Sequence, residues 1–271
     1  MIGQKHLIEE IDRLIDEKLL PKFIIFVGAR GSEKNQIIEY VEKQCGSITL
    51  DMGTSVNDVR EAITRMQTIG SDNVLCTFKD ADNMSTSAKN ALLKIVEEPP
   101  KNVRIIMTLQ SLSNMPDTIR SRASVMPLLP YSVDEISAYA KRYNLTSDEL
   151  GVVADICETP GDVDMLHEEG IIAFDEYVNN VIDNIADVSG ANSFSIAKKI
   201  KFKEEDTGFD LILFFRAFIA KCLHRMPDDV VRYAEAVRIT TKHMQELKVN
   251  GLNAQSMFDI WILDIREAWM D

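Results

Sequence analysis

Apolar positions along this chain follow two rhythms. From His6 to Leu20 they recur at helical spacing, with Leu7, Ile8, Ile11, Leu14, Ile15 and Leu19 on one face. Phe23-Ile24-Ile25-Phe26-Val27 is then an unbroken apolar run ending at Gly28, as a strand buried on both faces reads. The pattern continues with helix 36–43, strand 48–50, helix 56–67, strand 74–78, helix 87–96 and strand 103–107. Alternation of this kind predicts an α/β fold: a parallel sheet with crossover helices on both faces. A further apolar segment, Val125 to Leu129, predicts one more buried strand.

Pro127 and Pro130 punctuate the next boundary, and Tyr131-Ser132 reads as a linker. Three short helices are expected beyond it, over 133–143, 147–157 and 162–169. From Phe174 onward the pattern is helical throughout, with Phe174, Val178, Val181, Ile182, Ile185 and Val188 in phase and Ser189-Gly190 as a stop. Leu211 to Leu223 is apolar on nearly every face, and helices over 230–247 and 256–269 flank the turn-prone Asn250-Gly251. The expected domains are therefore 1–129, an α/β unit; 130–170, a small helical lid; and 171–271, an all-α unit.

Composition narrows the function. The chain of 271 residues, 45% apolar and 27% charged, is that of an ordinary globular protein able to bury a sizeable core. The apolar run Leu211 to Phe215 is interrupted by Arg216 and is too short to span a bilayer. Residues 1–20 lack the layout of a secretion signal, so a cytoplasmic location with no membrane partner is expected. Cys45, Cys76, Cys157 and Cys222 are scattered without metal-ligand spacing, which predicts free thiols and no metal site. A net charge of −13 disfavours unaided binding to duplex DNA.

One stretch carries most of the information. Asn90-Ala91-Leu92-Leu93-Lys94-Ile95-Val96-Glu97-Glu98-Pro99-Pro100 reads as a helix that begins near an N-cap at Ser85 and stops at two prolines. Thr118-Ile119-Arg120-Ser121-Arg122 follows at short range, two guanidinium groups just before an apolar strand. The pair resembles the motifs of bacterial clamp-loader subunits of the AAA+ class, which read NALLKxLEEPP and TIxSRC; here Ala123 replaces the final cysteine. Ile2-Gly3-Gln4 and Leu20-Pro21-Lys22-Phe23 extend the resemblance, which covers most of residues 1–170 and weakly the rest. Many relatives carry a four-cysteine zinc module between the phosphate loop and the Asn90 helix, and this chain has none.

The resemblance implies an AAA+ module, a lid and a helical collar that holds subunits in a ring. It also implies partners: other clamp-loader subunits, a sliding clamp, and primer-template DNA reached through the complex. Arg122 stands where the family projects an arginine finger into the site of an adjacent subunit, and Arg120 is a supporting or a solvated residue.

The nucleotide site itself is degenerate. Gly28-Ala29-Arg30-Gly31-Ser32-Glu33-Lys34-Asn35 has P-loop spacing, and Gly28, Gly31 and Lys34 are present. Glu33, however, occupies the second glycine position, and Asn35 replaces the hydroxyl that ligates magnesium. Where active relatives have Asp-Glu-Ala-Asp, this chain has Lys79-Asp80-Ala81-Asp82, and lysine cannot bind magnesium. Asp164, in Gly161-Asp162-Val163-Asp164, stands where relatives place a phosphate-sensing arginine, and the first sensor around Leu109 and Gln110 is ambiguous.

These departures predict a delta-prime-like subunit without its own ATPase. Two readings of Lys34 remain side by side: weak binding of ATP or ADP without hydrolysis, and a solvated lysine on a vestigial loop. The alternative function is a divergent AAA+ ATPase using Lys34 and Asp80 in DNA replication. Lys89, Lys94 and Lys101 flank the helix that faces the DNA channel in relatives, and a solvated helix face explains them equally well. His6, His167, His224 and His243 show no ligand spacing, and Trp261 and Trp269 read as core or collar interface.

Overall fold

A computed structural model of the chain describes residues 3–68, 73–185, 199–201, 208–247 and 253–270. The chain divides into two compact units, Met1–Tyr131 and Ser132–Asp271, so that the expected lid and collar segments fall together in the second.

The first unit alternates as its sequence pattern requires: α1 (Lys5–Asp16), β1 (Phe23–Val27), α2 (Lys34–Cys45), β2 (Ile48–Met52), α3 (Val56–Thr68), β3 (Val74–Phe78), α4 (Thr86–Glu97), β4 (Val103–Leu109), α5 (Asp117–Arg120) and β5 (Ser124–Pro127). The five strands form one sheet in the order β2-β3-β4-β1-β5, and every pair is parallel. Side chains of β1 alternate between two cores. Phe23 and Ile25 join Val59, Met66, Leu92 and Ile95 on the face covered by α3 and α4. Ile24 and Phe26 join Leu7, Ile11, Ile37 and Val41 on the face covered by α1 and α2. This double cover is why β1 reads as an unbroken apolar run.

Some expectations need correction. The first helix stops at Asp16, because Lys18 adopts φ +60° and turns the chain, leaving Leu19 63% exposed beyond it. The last strand ends at Pro127 on a sheet edge, where a residue without an N–H is tolerated, and Leu129 lies exposed. Gln4 of the N-terminal motif is structural: its amide donates to the Leu129 carbonyl at 2.7 Å and accepts from the Leu129 N–H at 2.9 Å. Ile2 lies outside the described residues.

The second unit comprises α6 (Val133–Ala140), α7 (Ser147–Ile156), α8 (Pro160–Glu169), α9 (Ile171–Asn184), β6 (Ile200–Lys201), β7 (Phe209–Asp210), α10 (Leu211–Arg225), α11 (Val230–Glu246) and α12 (Ala254–Met270). Serine or threonine caps with reciprocal acids begin α6, α7 and α8. The two-residue strands β6 and β7 pair in parallel, a departure from the all-helical expectation. Val188 and the expected stop at Ser189-Gly190 lie outside the described residues, as does the turn at Asn250-Gly251.

Arg216, which breaks the apolar run of α10, is explained by its partners: it pairs with Asp162 at 2.7 Å and Glu158 at 2.8 Å. Lys221 pairs with Asp175, and Arg225 with Asp183 and Asn179, so polar contacts fasten α9 to α10 beside the apolar ones. Trp261 is fully buried among Phe214, Phe215, Phe218 and Phe258. Trp269 lies under the Arg232 guanidinium, 4.2 Å from its ring centre. His243 is buried against Asp264, its Nε2 2.8 Å from the carboxylate.

All four cysteines are free, and Cys76, Cys157 and Cys222 are buried. Burial pushes the Cys76 thiol up to about 11 and Cys222 to about 12, and it raises Cys157 as well. Since the thiolate is the nucleophile, iodoacetamide at pH 8 should label half-buried Cys45 first. Labelling of the other three should wait for unfolding, a sequence that peptide mass spectrometry would read; equal rates at all four would contradict this packing. Among the described residues, no helix is long and apolar enough to cross a membrane.

Candidate functional site

The loop with phosphate-loop spacing leaves β1 at Gly28, whose N–H donates to the Leu109 carbonyl at 3.0 Å. A Cβ at Gly28 would stand 2.7 Å from Ser32 Oγ and 3.0 Å from Leu128 Cβ, so any larger residue would have to displace these side chains. Gly31 (φ +75°) and Glu33 (φ +58°) both take left-handed backbone. The conformation at residue 33 is one that glycine adopts freely, and holding glutamate there costs about 1–2 kcal/mol. Gln36 donates from its side-chain amide to Glu33 Oε1, while Oε2 is buried with no hydrogen-bond partner among the described residues.

Lys34 opens α2 but folds back over the loop. Its Nζ donates to the carbonyls of Gly28 and Ala29, each at 2.8 Å, and the residue is only 7% exposed. This corrects the solvated-lysine reading: the amine is enclosed by the loop's own backbone. Desolvation lowers its affinity for a proton, and the carboxylates of Asp80 and Asp82 act in the opposite direction.

At the end of β3, Lys79 pairs with Asp51 of β2 at 2.7 Å, and the other Asp51 oxygen accepts from Thr77 at 3.2 Å. Parallel register sets Thr77 beside Asp51, which explains how the lysine finds this carboxylate. Asp80 takes φ +49°, and its N–H donates to Thr108 Oγ1 at 2.9 Å. Asp82 accepts from the N–H groups of Gln110 (2.7 Å) and Ser111 (3.3 Å) and from the Asn114 amide (2.9 Å). Its carboxylate therefore braces the segment expected to hold the first sensor. Asn114 in turn accepts from Lys89 through its carbonyl, so Lys89 is anchored, while Lys94 and Lys101 are exposed. In the second unit Asp164 accepts hydrogen bonds from the hydroxyls of Tyr139 (2.9 Å) and Tyr143 (2.7 Å).

Helix α4 is capped by Ser85, whose Oγ accepts from the Ala88 N–H at 3.2 Å, and it buries Ala88, Leu92, Ile95 and Val96. That stripe leaves Glu97, the last helical residue, facing solvent. Arg122 reaches it: Nη2 pairs with the Glu97 carboxylate, and Nη1 donates to the Thr118 carbonyl and lies 3.4 Å from Ser121 Oγ. The two motifs most telling in the sequence thus meet in one ion pair, with Arg122 35% and Glu97 48% exposed at their side chains. Arg120 pairs instead with Asp117. The sequence gives no sign of Asp51 or of the bracing role of Asp82, and it names Glu97 only as part of the helix motif.

The family described as DNA polymerase III, delta subunit, is matched over residues 40–132, a span that contains Lys79, α4 and Arg122 but begins beyond the phosphate loop. A replication factor C small subunit from Methanothermobacter thermautotrophicus is 25% identical over 148 residues, 50% of this chain and 46% of its own. The DNA polymerase III subunit gamma of Buchnera aphidicola is 24% identical over 168 residues, 51% of this chain and 45% of its own. Replication factor C subunit 5 of Mus musculus is 25% identical over 182 residues, covering 60% and 53%. The chain spans about half the length of the curated relatives it matches.

Among solved structures, a DNA polymerase III gamma subunit-related protein from Thermotoga maritima superposes with a TM-score of 0.52 at 13% identity, covering 95% of this chain and 98% of its own. A RuvB mutant from the same organism also gives 0.52, at 10% identity over 97% and 88%. These likenesses bear on the fold alone. The chain therefore has the parallel-sheet fold of AAA+ proteins, and its central segment is similar to subunits of clamp loaders.

Proposed function

We propose that this chain is a delta-prime-like subunit of a clamp loader: it hydrolyses no ATP itself, sits in a heteromeric ring, and lends Arg122 to the nucleotide site of a neighbour. The supporting observation is a contrast between two sites on one unit. At the phosphate loop, Lys34 is committed to two backbone carbonyls, and a lysine paired with Asp51 holds the position that requires a magnesium ligand. At Arg122, the guanidinium is partly exposed and is held by an exchangeable carboxylate, a carbonyl and a hydroxyl.

The donor set around the loop does not fit a magnesium-bound triphosphate. Metal and phosphate contacts supply most of phosphoryl-transfer catalysis, and here the hydroxyl ligand is Asn35, the metal acid is Lys79, and Asp82 is spent on backbone. An arginine finger, by contrast, needs only reach and a positive charge. In the ring the chain contributes geometry and Arg122, the neighbour contributes ATP and magnesium, and the assembly loads a sliding clamp onto primed DNA. The net charge of −13 fits a subunit whose partners supply the positive field for DNA.

The purified chain, at high concentration with magnesium and primed DNA, should show no turnover above buffer, and Lys34→Ala should match it. Turnover that disappears in Lys34→Ala would replace this proposal with the divergent-motor reading, in which Lys34 and Asp80 act on the chain's own nucleotide.

A further inference from the structure

Glu97 stands at an unusual place for an acid. It is the last residue of α4, where the helix dipole favours cations, so its charge works against the helix that carries it. The fold does not need it there either: the end of α4 is already fixed by buried Ile95 and Val96 and stopped by Pro99 and Pro100. An ion pair this exposed adds little to stability and is easily exchanged. What Glu97 does accomplish is local: its carboxylate pairs with Nη2 of Arg122, while the Thr118 carbonyl accepts from Nη1.

We infer that Glu97 is a positioning residue that holds Arg122 in a resting state, its carboxylate standing in for the phosphate oxygens that the arginine meets in a neighbouring subunit. This inference rests on the finger role proposed above. A guanidinium presents the same planar fork to a carboxylate as to a phosphate. The two anions compete for the same nitrogen, and the more highly charged triphosphate displaces the carboxylate when the neighbour's site closes. An unpartnered arginine would instead be free to engage any nearby anion, including the acids abundant in this chain. Glu97 thus makes engagement conditional on a stronger anion in the right place, and so restrains the neighbour's turnover until the ring closes.

The two ideas can be tested apart. In the purified chain, phenylglyoxal modification of Arg122, followed by peptide mass spectrometry, should run roughly two- to fivefold faster in Glu97→Gln, the range an exposed pair's strength allows. Glu97→Asp should restore most of the protection, and the thermal midpoint should stay unchanged in both variants. In the reconstituted complex, Glu97→Gln should raise ATP turnover without DNA or clamp by a similar factor and leave KM for ATP unaltered. The gain should vanish when Arg122→Ala is added.

Unchanged labelling overturns the resting pair whatever Arg122 does in the complex. Faster labelling with unchanged or reduced turnover overturns the restraint on the neighbour. If Arg122→Ala has no effect on turnover, the finger reading fails and the inference falls with it, while the labelling result still reports the ion pair by itself.

Discussion

Replacing Arg122 by alanine in the assembled complex is expected to lower the neighbour's DNA-stimulated ATP turnover by about a thousandfold, the lower end of what an arginine finger contributes. The loss should fall on kcat with little change in KM for ATP, because the contact strengthens as charge develops on the transferred phosphoryl group. Arg122→Lys should recover only part of the rate, since a single ammonium cannot reproduce the two-pronged hydrogen bonding of a guanidinium. The variant should fold normally: the side chain is partly exposed, its ion pair lies at the surface, and the neighbouring Ile119 carries the buried contact of α5. Steady-state turnover within twofold of the parent complex would remove the finger from the account.

The largest expected effect on folding lies in the second unit. Trp261 has no exposed surface, its indole N–H donates to Thr240 Oγ1 at 2.9 Å, and its ring centre lies 4.9–5.4 Å from those of Phe214, Phe215, Phe218 and Phe258. Trp261→Ala should therefore destabilise this unit by about 3–5 kcal/mol, combining lost transfer energy with a cavity that four rings cannot readily fill. Denaturant unfolding followed by far-ultraviolet circular dichroism would measure it, the two units giving separate transitions if they unfold independently. A loss below about 1 kcal/mol would mean that the aromatic cluster repacks around the gap.

Most strands and helices of the first unit were legible in the sequence because they are short, bury one or both faces and are fixed by local periodicity. Ser85 announced its helix by capping chemistry, and Pro99-Pro100 marked the stop. The loop of residues 28–35 was legible as a spacing. That Lys34 turns inward was not, because its acceptors are backbone carbonyls, which every residue has. Pairings across the sheet were equally hidden. Nothing near Lys79 in the sequence names Asp51 as its partner; only the parallel register of β2 and β3 does so. Arg122 and Glu97 were both within recognised motifs, yet their contact depends on how α4 and α5 stop beside one another. In the second unit the pairing of β6 with β7 rests on strands of two residues each, too short for any period to register.

The bracing of the Gln110 to Asn114 segment by Asp82 bears on how such motifs should be interpreted. A carboxylate that gathers two N–H groups and an amide is worth keeping for the shape of the loop alone. An acid at that position would persist in a protein that never meets a nucleotide, and its presence is no guide to turnover. Lys79, three residues earlier, pairs across the sheet with Asp51 instead of bracing the loop, and on the function proposed above it is the position that bears on magnesium. Within one short acidic stretch, then, stiffness and chemistry are recorded at separate letters, and a motif can be kept as a joint whatever becomes of its catalysis.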